Sequence, residues 1–114
     1  MSRSPEQTVR AVWQRIFNEH DLAAADELVA EHYVQHTPGV PGGREGFKRT
    51  FARYLAQSPD LRVEPRSVVE IGDLVVIRGR VFMSTPPPGH VSPIEVVDVF
   101  RVADGMLQEH WELP

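Results

Sequence analysis

Ile94-Glu95-Val96-Val97-Asp98-Val99-Phe100-Arg101-Val102-Ala103-Asp104-Gly105-Met106-Leu107-Gln108-Glu109-His110-Trp111 decides the fold of this chain. Two runs rich in β-branched and aromatic residues flank Asp104-Gly105, a dipeptide suited to a tight turn, and together they spell a hairpin. Upstream the same pattern recurs around Gly72-Asp73. The spacing predicts strands near 61–71, 74–83, 93–102 and 106–112. Thr85-Pro86-Pro87-Pro88-Gly89 lies between the two hairpins as a stiff loop, because proline fixes φ and cannot donate to a ladder.

Before Pro59 the period is 3.6 instead of 2. Ser4-Pro5-Glu6-Gln7 is a helix start, with Ser4 as cap, Pro5 at the first helical position and Gln7 closing a capping box. Val9, Val12, Trp13, Ile16 and Phe17 then follow on one face. A second, shorter helix is predicted from Asp21, which caps it, with Leu22, Ala25, Leu28 and Val29 as its buried stripe. His32 to Thr37 favours an extended segment. A third helix is expected from about Arg44 to Gln57, with Phe47, Phe51, Tyr54 and Leu55 on one side, ended by Ser58-Pro59.

Helices followed by antiparallel strands imply an α+β domain, with the helices on one face of the sheet. The 114 residues suit a single domain, 1–114. To be covered by so few residues the sheet must curl, which leaves a concave interior. Composition narrows the rest. No cysteine is present, so there is neither a disulfide framework nor a thiolate metal site. The first residues lack the apolar run of a secretory signal, and no stretch approaches the length of a membrane span, so the expected setting is cytoplasmic, with no membrane partner. Net charge is −4, and the arginines are scattered instead of massed, which argues against nucleic acid. No phosphate-binding glycine loop, nucleophile elbow or dinucleotide fingerprint occurs.

Asp98 is the most informative residue. Aspartate is depleted in strands, and a buried carboxylate needs a partner. Asp98 shares its parity with Val96 and Phe100, so it is expected to face the helices and the cavity. A desolvated carboxylate there can act as general acid or base; the structural alternative is an ion pair with Arg78 or Arg80. A two-residue turn at Asp104-Gly105 would place Trp111 opposite Asp98, whereas a three-residue loop would place His110 there. Both remain candidates, His110 as proton partner and Trp111 as wall.

His32 and His36 have the i, i+4 spacing of a helical zinc pair, but in an extended segment they stand roughly 13 Å apart, so no metal site is expected. His36 is read instead as a proton-donating residue at the cavity mouth, or else as an exposed histidine. Tyr33 can donate its phenol to a substrate oxygen, or pack with its hydroxyl at the surface. Trp13, Phe17, Phe51 and Phe82 are core or cavity wall, Arg80 holds Asp98 or an anionic ligand or is solvated, and His90 is a solvated loop residue.

Tyr33-Val34-Gln35-His36-Thr37-Pro38 with Gly43-Arg44-Glu45-Gly46-Phe47 resembles the entry to the third helix of SnoaL-like proteins. Val97 to Val102, Asp104-Gly105 and Glu109-His110-Trp111 resemble their closing hairpin. The resemblance implies an NTF2-like cone: three N-terminal helices on a strongly curved, mostly antiparallel sheet, without a cofactor and dimeric through the sheet. In the polyketide cyclases of this family an aspartate on a late strand is the acid/base of aldol closure, and Asp98 matches it. His36 matches a polar pocket position of related members. A pocket histidine that cyclases carry before the long loop has no counterpart, since Phe82, Met83 and Ser84 stand there.

The expected function is thus a cofactor-independent lyase, isomerase or cyclase for a small carbonyl compound, with Asp98, His36, Tyr33 and His110 catalytic. Trp13, Phe17, Phe51, Arg80, Phe82 and Trp111 would bind substrate. The alternatives are a non-catalytic small-molecule-binding module and a protein-interaction module.

Overall fold

The computed structural model describes residues 3–114. The first helix, α1 (Pro5–Ala11), begins as its capping box dictates. Gln7 N–H donates to Ser4 Oγ at 3.1 Å, and Ser4 N–H donates to Gln7 Oε1 at 2.9 Å. It continues as a wider π-helical stretch over Val12–Asn18. Val9, Val12, Trp13 and Ile16 are buried along it, as the 3.6 period requires. The second helical segment is less regular than expected. A 3₁₀ turn, Leu22–Ala24, leads into a single α-helical turn, α2 (Ala25–Leu28), and Asp21 makes no side-chain cap. Val29, expected on that helix, instead opens strand β1 (Val29–Gln35). Helix α3 spans Gly43–Gln57.

The four strands after Pro59 are β2 (Arg62–Ile71), β3 (Leu74–Phe82), β4 (Ile94–Ala103) and β5 (Met106–Leu113). Their order in the sheet is β1-β5-β4-β3-β2, an open five-stranded sheet. All neighbours are antiparallel except β1, which lies parallel to β5 at one edge. Both expected hairpin turns form, with Asp104 at φ 54° and Gly105 at φ 70°, the doubly positive pair that matches strand twist.

One sheet face carries the core, where Val75, Ile77, Phe100, Val102 and Leu107 pack beneath the helices. Gly79 belongs to this inner face for a steric reason. A Cβ there would lie 2.6 Å from the Glu64 carbonyl oxygen and 2.6 Å from Cζ3 of Trp13, so the indole sits directly on the β3 backbone. No helix is long and apolar enough to cross a membrane among the described residues.

Besides the register shift of β1 against β5 between Val29 and Val34, two bulges shape the sheet. One bulge lies in β2 between Pro65 and Ser67, where proline could not have donated to a regular ladder. The other lies in the last hairpin. Ala103 pairs with Met106 and Val102 with Leu107, but Arg101 then pairs with Glu109, leaving Gln108 as the extra residue. From there Phe100 faces His110, Val99 faces Trp111 and Asp98 faces Glu112. Neither expected register occurs. The turn has two residues, yet the bulge shifts β5 by one, so the residue opposite Asp98 is Glu112 and not Trp111 or His110.

Candidate functional site

Between the helices and the inner sheet face lies a cavity of about 330 Å³. Its walls are largely apolar, and an aromatic cluster forms their helix side. Phe17 and Phe51 stack at 4.8 Å between ring centres, and Phe47 meets Tyr33 edge to face at 5.7 Å. Trp13 and Met83 add to the apolar side together with Val63, Val81, Ile94 and Val96 of the strands, while the exposed loop residues Pro87 and His90 contribute to the rim. Among the described residues, no lysine or arginine lines the cavity.

Polar groups collect on one side, where β1, β5 and β4 run side by side. The bulge at Gln108 returns His110 to the inner face, diagonal to Asp98. His110 Nε2 lies 2.9 Å from Asp98 Oδ1, with the two side chains only 12% and 14% exposed. Gln35, the β1 residue paired with His110, places Oε1 2.8 Å from His110 Nδ1. Gln35 Nε2 donates to the Tyr33 hydroxyl at 3.1 Å. Thr37 closes the group, its N–H and hydroxyl both donating to Gln35 Oε1, at 3.1 and 3.0 Å. Phe100 stacks on the His110 ring at 4.7 Å.

Charge and burial act visibly on Tyr33. Burial pushes its phenol well above the ordinary tyrosine range, and the nearby Asp98 carboxylate pushes it further, against the opposing hydrogen bond from Gln35. The phenol is therefore neutral, 3% exposed, and keeps its hydrogen. Chemically, the arrangement offers a carboxylate, an imidazole and a neutral phenol around one end of an apolar space, the elements of general acid–base chemistry.

Of the expected site residues, the structure brings Asp98, His110, Tyr33, Trp13, Phe17 and Phe51 to the cavity. It takes four elsewhere. His36 follows Tyr33 by three positions, the opposite parity, and lies at the outer face; its Nε2 is 2.6 Å from Glu109 and its ring stacks on Trp111 at 5.1 Å. Trp111 is on that outer face too, because the bulge exchanged its place with His110. Arg80 pairs with Glu95 at 2.6 Å, so it holds neither Asp98 nor a cavity ligand. Phe82 has the parity of Arg80 and packs beneath the Arg62 guanidinium, 3.9 Å from its ring centre. His90, expected to be only solvated, is exposed and also borders the cavity. The arginine pair offered as the alternative for Asp98 does not form, since its partner is His110.

Gln35, Thr37 and Glu112 line the cavity without having been assigned a role from sequence. A signal for the first two was available: in an extended segment residues 33, 35 and 37 share one face. Glu112 depended on the bulge. No group of three or more His, Asp or Glu side chains converges as a metal site among the described residues.

A family model, the SnoaL-like domain, matches residues 9–110. The chain belongs to the SnoaL-like family. Among solved structures, this SnoaL-like protein is 31% identical to IdmH of Streptomyces antibioticus, proposed to be a polyketide cyclase. The match has a TM-score of 0.77 and covers 97% of this chain and 91% of that one. A cystatin-fold protein of Novosphingobium aromaticivorans, itself uncharacterized, is 20% identical with a TM-score of 0.84, covering 99% of this chain and 100% of that one. TsrD of Streptomyces laurentii is 24% identical with a TM-score of 0.78, covering 99% and 90%. The last two share the fold, which is the NTF2-like α+β cone. No curated protein matches the chain significantly.

Proposed function

We propose that this SnoaL-like protein is a cofactor-independent acid–base enzyme, a cyclase, isomerase or lyase acting on a small neutral carbonyl compound. The observation that carries the reading is the Asp98–His110 pair, set with Tyr33 at the polar end of an otherwise largely apolar cavity. Asp98 Oδ1 is held by His110, and among the described residues no protein group hydrogen-bonds Oδ2. That oxygen takes a proton from the carbon next to the carbonyl. The C–H electron pair moves into the enolate, whose oxygen accepts a hydrogen bond from the neutral Tyr33 hydroxyl. The enolate carbon then attacks a second carbonyl of the same molecule, whose oxygen takes the proton now on Asp98, or Asp98 returns that proton at another carbon. Surrounding aromatic side chains exclude water and strengthen each of these interactions. With two carboxylates and, among the described residues, no lysine or arginine in its lining, the cavity is a poor host for anions, which favours a neutral substrate.

The outer sheet face supports a homodimer as part of the same proposal. Val69, Val76, Val99 and Trp111 form a cross-strand row there, and Val69 is 51% exposed. Sedimentation equilibrium giving a monomer at micromolar concentration would remove that part.

Proton–deuterium exchange tests the chemistry. A panel of ketones and β-dicarbonyls is incubated in heavy water with wild type and with Asp98→Asn, and followed by NMR. Exchange next to the carbonyl that disappears in the variant supports Asp98 as the base. Exchange no faster than buffer for every compound, together with ligand binding that survives Asp98→Asn, would replace the enzyme by a binding module.

A further inference from the structure

We infer that Gln35 is a positioning residue: held by the backbone N–H of Thr37, it keeps the hydrogen of His110 on Nδ1, so that the pair with Asp98 gains and loses its proton at Nε2. The step from this assignment to turnover rests on the proposed function; the assignment itself does not.

The oxygen and nitrogen of a side-chain amide are hard to tell apart by shape, but their partners distinguish them. A backbone N–H can only donate. Thr37 N lies 3.1 Å from one end of the Gln35 amide, which must therefore be the oxygen. That same oxygen is 2.8 Å from His110 Nδ1. An amide oxygen carries no hydrogen, so Nδ1 must supply one. At the other end, the amide nitrogen is 3.1 Å from the Tyr33 oxygen and donates to it. Tyr33 thus accepts from Gln35, and its own hydrogen is left for a ligand oxygen.

The consequence falls on the far side of the imidazole. A neutral ring with hydrogen on Nδ1 presents a bare lone pair at Nε2, yet Nε2 is 2.9 Å from an Asp98 oxygen. Two lone pairs do not approach that closely without a proton between them. When the contact is closed, the pair shares a proton there, as imidazolium facing carboxylate or as imidazole facing carboxylic acid. Gln35 thereby directs proton traffic towards Asp98 and the cavity, and away from the β1 side of the ring. The titratable groups that share the cavity with the ring are Asp98 on β4, Tyr33 on β1, Glu112 on β5, Tyr54 on α3 and His90 in the β3–β4 loop; the first helix brings only Trp13 and Phe17.

The test is the long-range ¹⁵N–¹H correlation spectrum of ¹⁵N-histidine-labelled wild type, followed through the titration of His110. The expected result is that Nδ1 bears hydrogen on both sides of the transition and that Nε2 loses its own. A neutral ring protonated at Nε2, the usual form of free histidine, would overturn the inference on wild type alone. In Gln35→Met the neutral ring should revert to hydrogen on Nε2, whereas Gln35→Glu, which still offers an acceptor, should retain it on Nδ1. With a substrate from the exchange panel, Gln35→Met should lower kcat by about 10²–10⁴-fold, with KM changed less and part of the loss recovered in Gln35→Glu. Equal kcat in Gln35→Met and wild type would overturn the role in turnover. Absence of turnover for every compound would sink the proposed enzyme, while the spectrum would still decide the placement of hydrogen.

Discussion

Replacing Gly79 by alanine should be among the most damaging single-methyl changes available in this chain. The added carbon would stand 2.6 Å from both the Glu64 carbonyl oxygen and Trp13 Cζ3, and 2.8 Å from Cη2. Ordinary contacts between carbons lie near 3.5–4.0 Å, so each neighbour is about 1 Å too close. Neither yields easily. Glu64 is paired across the ladder with Arg80, and the indole is 2% exposed against packed neighbours. The cost should therefore reach the upper end of the overpacking range, about 3 kcal/mol. For a domain of this length about 4 °C is lost per kcal/mol, which places Tm roughly 12 °C lower. Thermal unfolding by circular dichroism reads this directly. Trp13→Phe removes the part of the ring in conflict, so the double variant should be more stable than the sum of the single changes by about 1 kcal/mol. A Gly79→Ala protein melting within about 2 °C of wild type would show that the indole does not rest on the β3 backbone. The cavity wall would then have to be redrawn.

Because burial holds the Tyr33 phenol above its ordinary range, its neutral form contributes stability that is fully present below about pH 10 and lost as pH rises beyond it. Tyr33→Phe should accordingly flatten the alkaline decline of the urea midpoint; an unchanged decline would mean that the phenol is solvated. Glu109 shows the opposite sign. Its carboxyl is held below the usual range by hydrogen bonding to His36 and then to Arg101, so its contribution is present above about pH 4.3 and is lost as pH falls through the lowered value. Relative to wild type, Glu109→Gln should be more stable at about pH 3 than at about pH 7, read by chemical denaturation. Deletion of Gln108 should preserve the pairing of Asp98 with Glu112, at the expense of two hydrogen bonds to the Ala103 and Met106 carbonyls, together about 1–3 kcal/mol. Retention of any Asp98-dependent exchange activity would confirm it, and its disappearance in a folded deletion variant would contradict the register argument.

Most of the fold was legible because it rests on local signals. Ser4, Pro5 and Gln7 fix the first helix, Gly72-Asp73 and Asp104-Gly105 fix the turns, and the change of period at Pro59 separates helices from strands. The second helix was less legible, since a four-residue α-helical turn depends on packing more than on propensity. Within the site, Asp98 stood out as a charge in an apolar strand. His36, Phe82 and Arg80 were misplaced, although period 2 from Tyr33 and from Ile77 would have sent each of them to the outer face. Trp111 and Glu112 could not be placed in that way. A bulge adds one residue against none, and nothing in Leu107-Gln108-Glu109 announces it. Gln35 was hidden for a different reason: its role lies in an arrangement of three partners that no spacing along one strand encodes.

The extra residue at Gln108 acts as a phase element for β5. Read straight out from its turn, the strand would present Glu109 and Trp111 to the interior; advanced by one, it presents His110 and Glu112. The choice between an indole-lined cup and a proton-handling one is thus made three residues beyond the turn rather than in it. Asp104-Gly105 can be lengthened, exchanged or fused to another sequence without resetting the chemistry, provided Ala103 still meets Met106. One residue inserted between Glu109 and His110 would send His110 and Glu112 to the outer face and bring Trp111 inside. In comparisons of relatives across this hairpin, the residues to align are those that follow the bulge, counted from it and not from the loop.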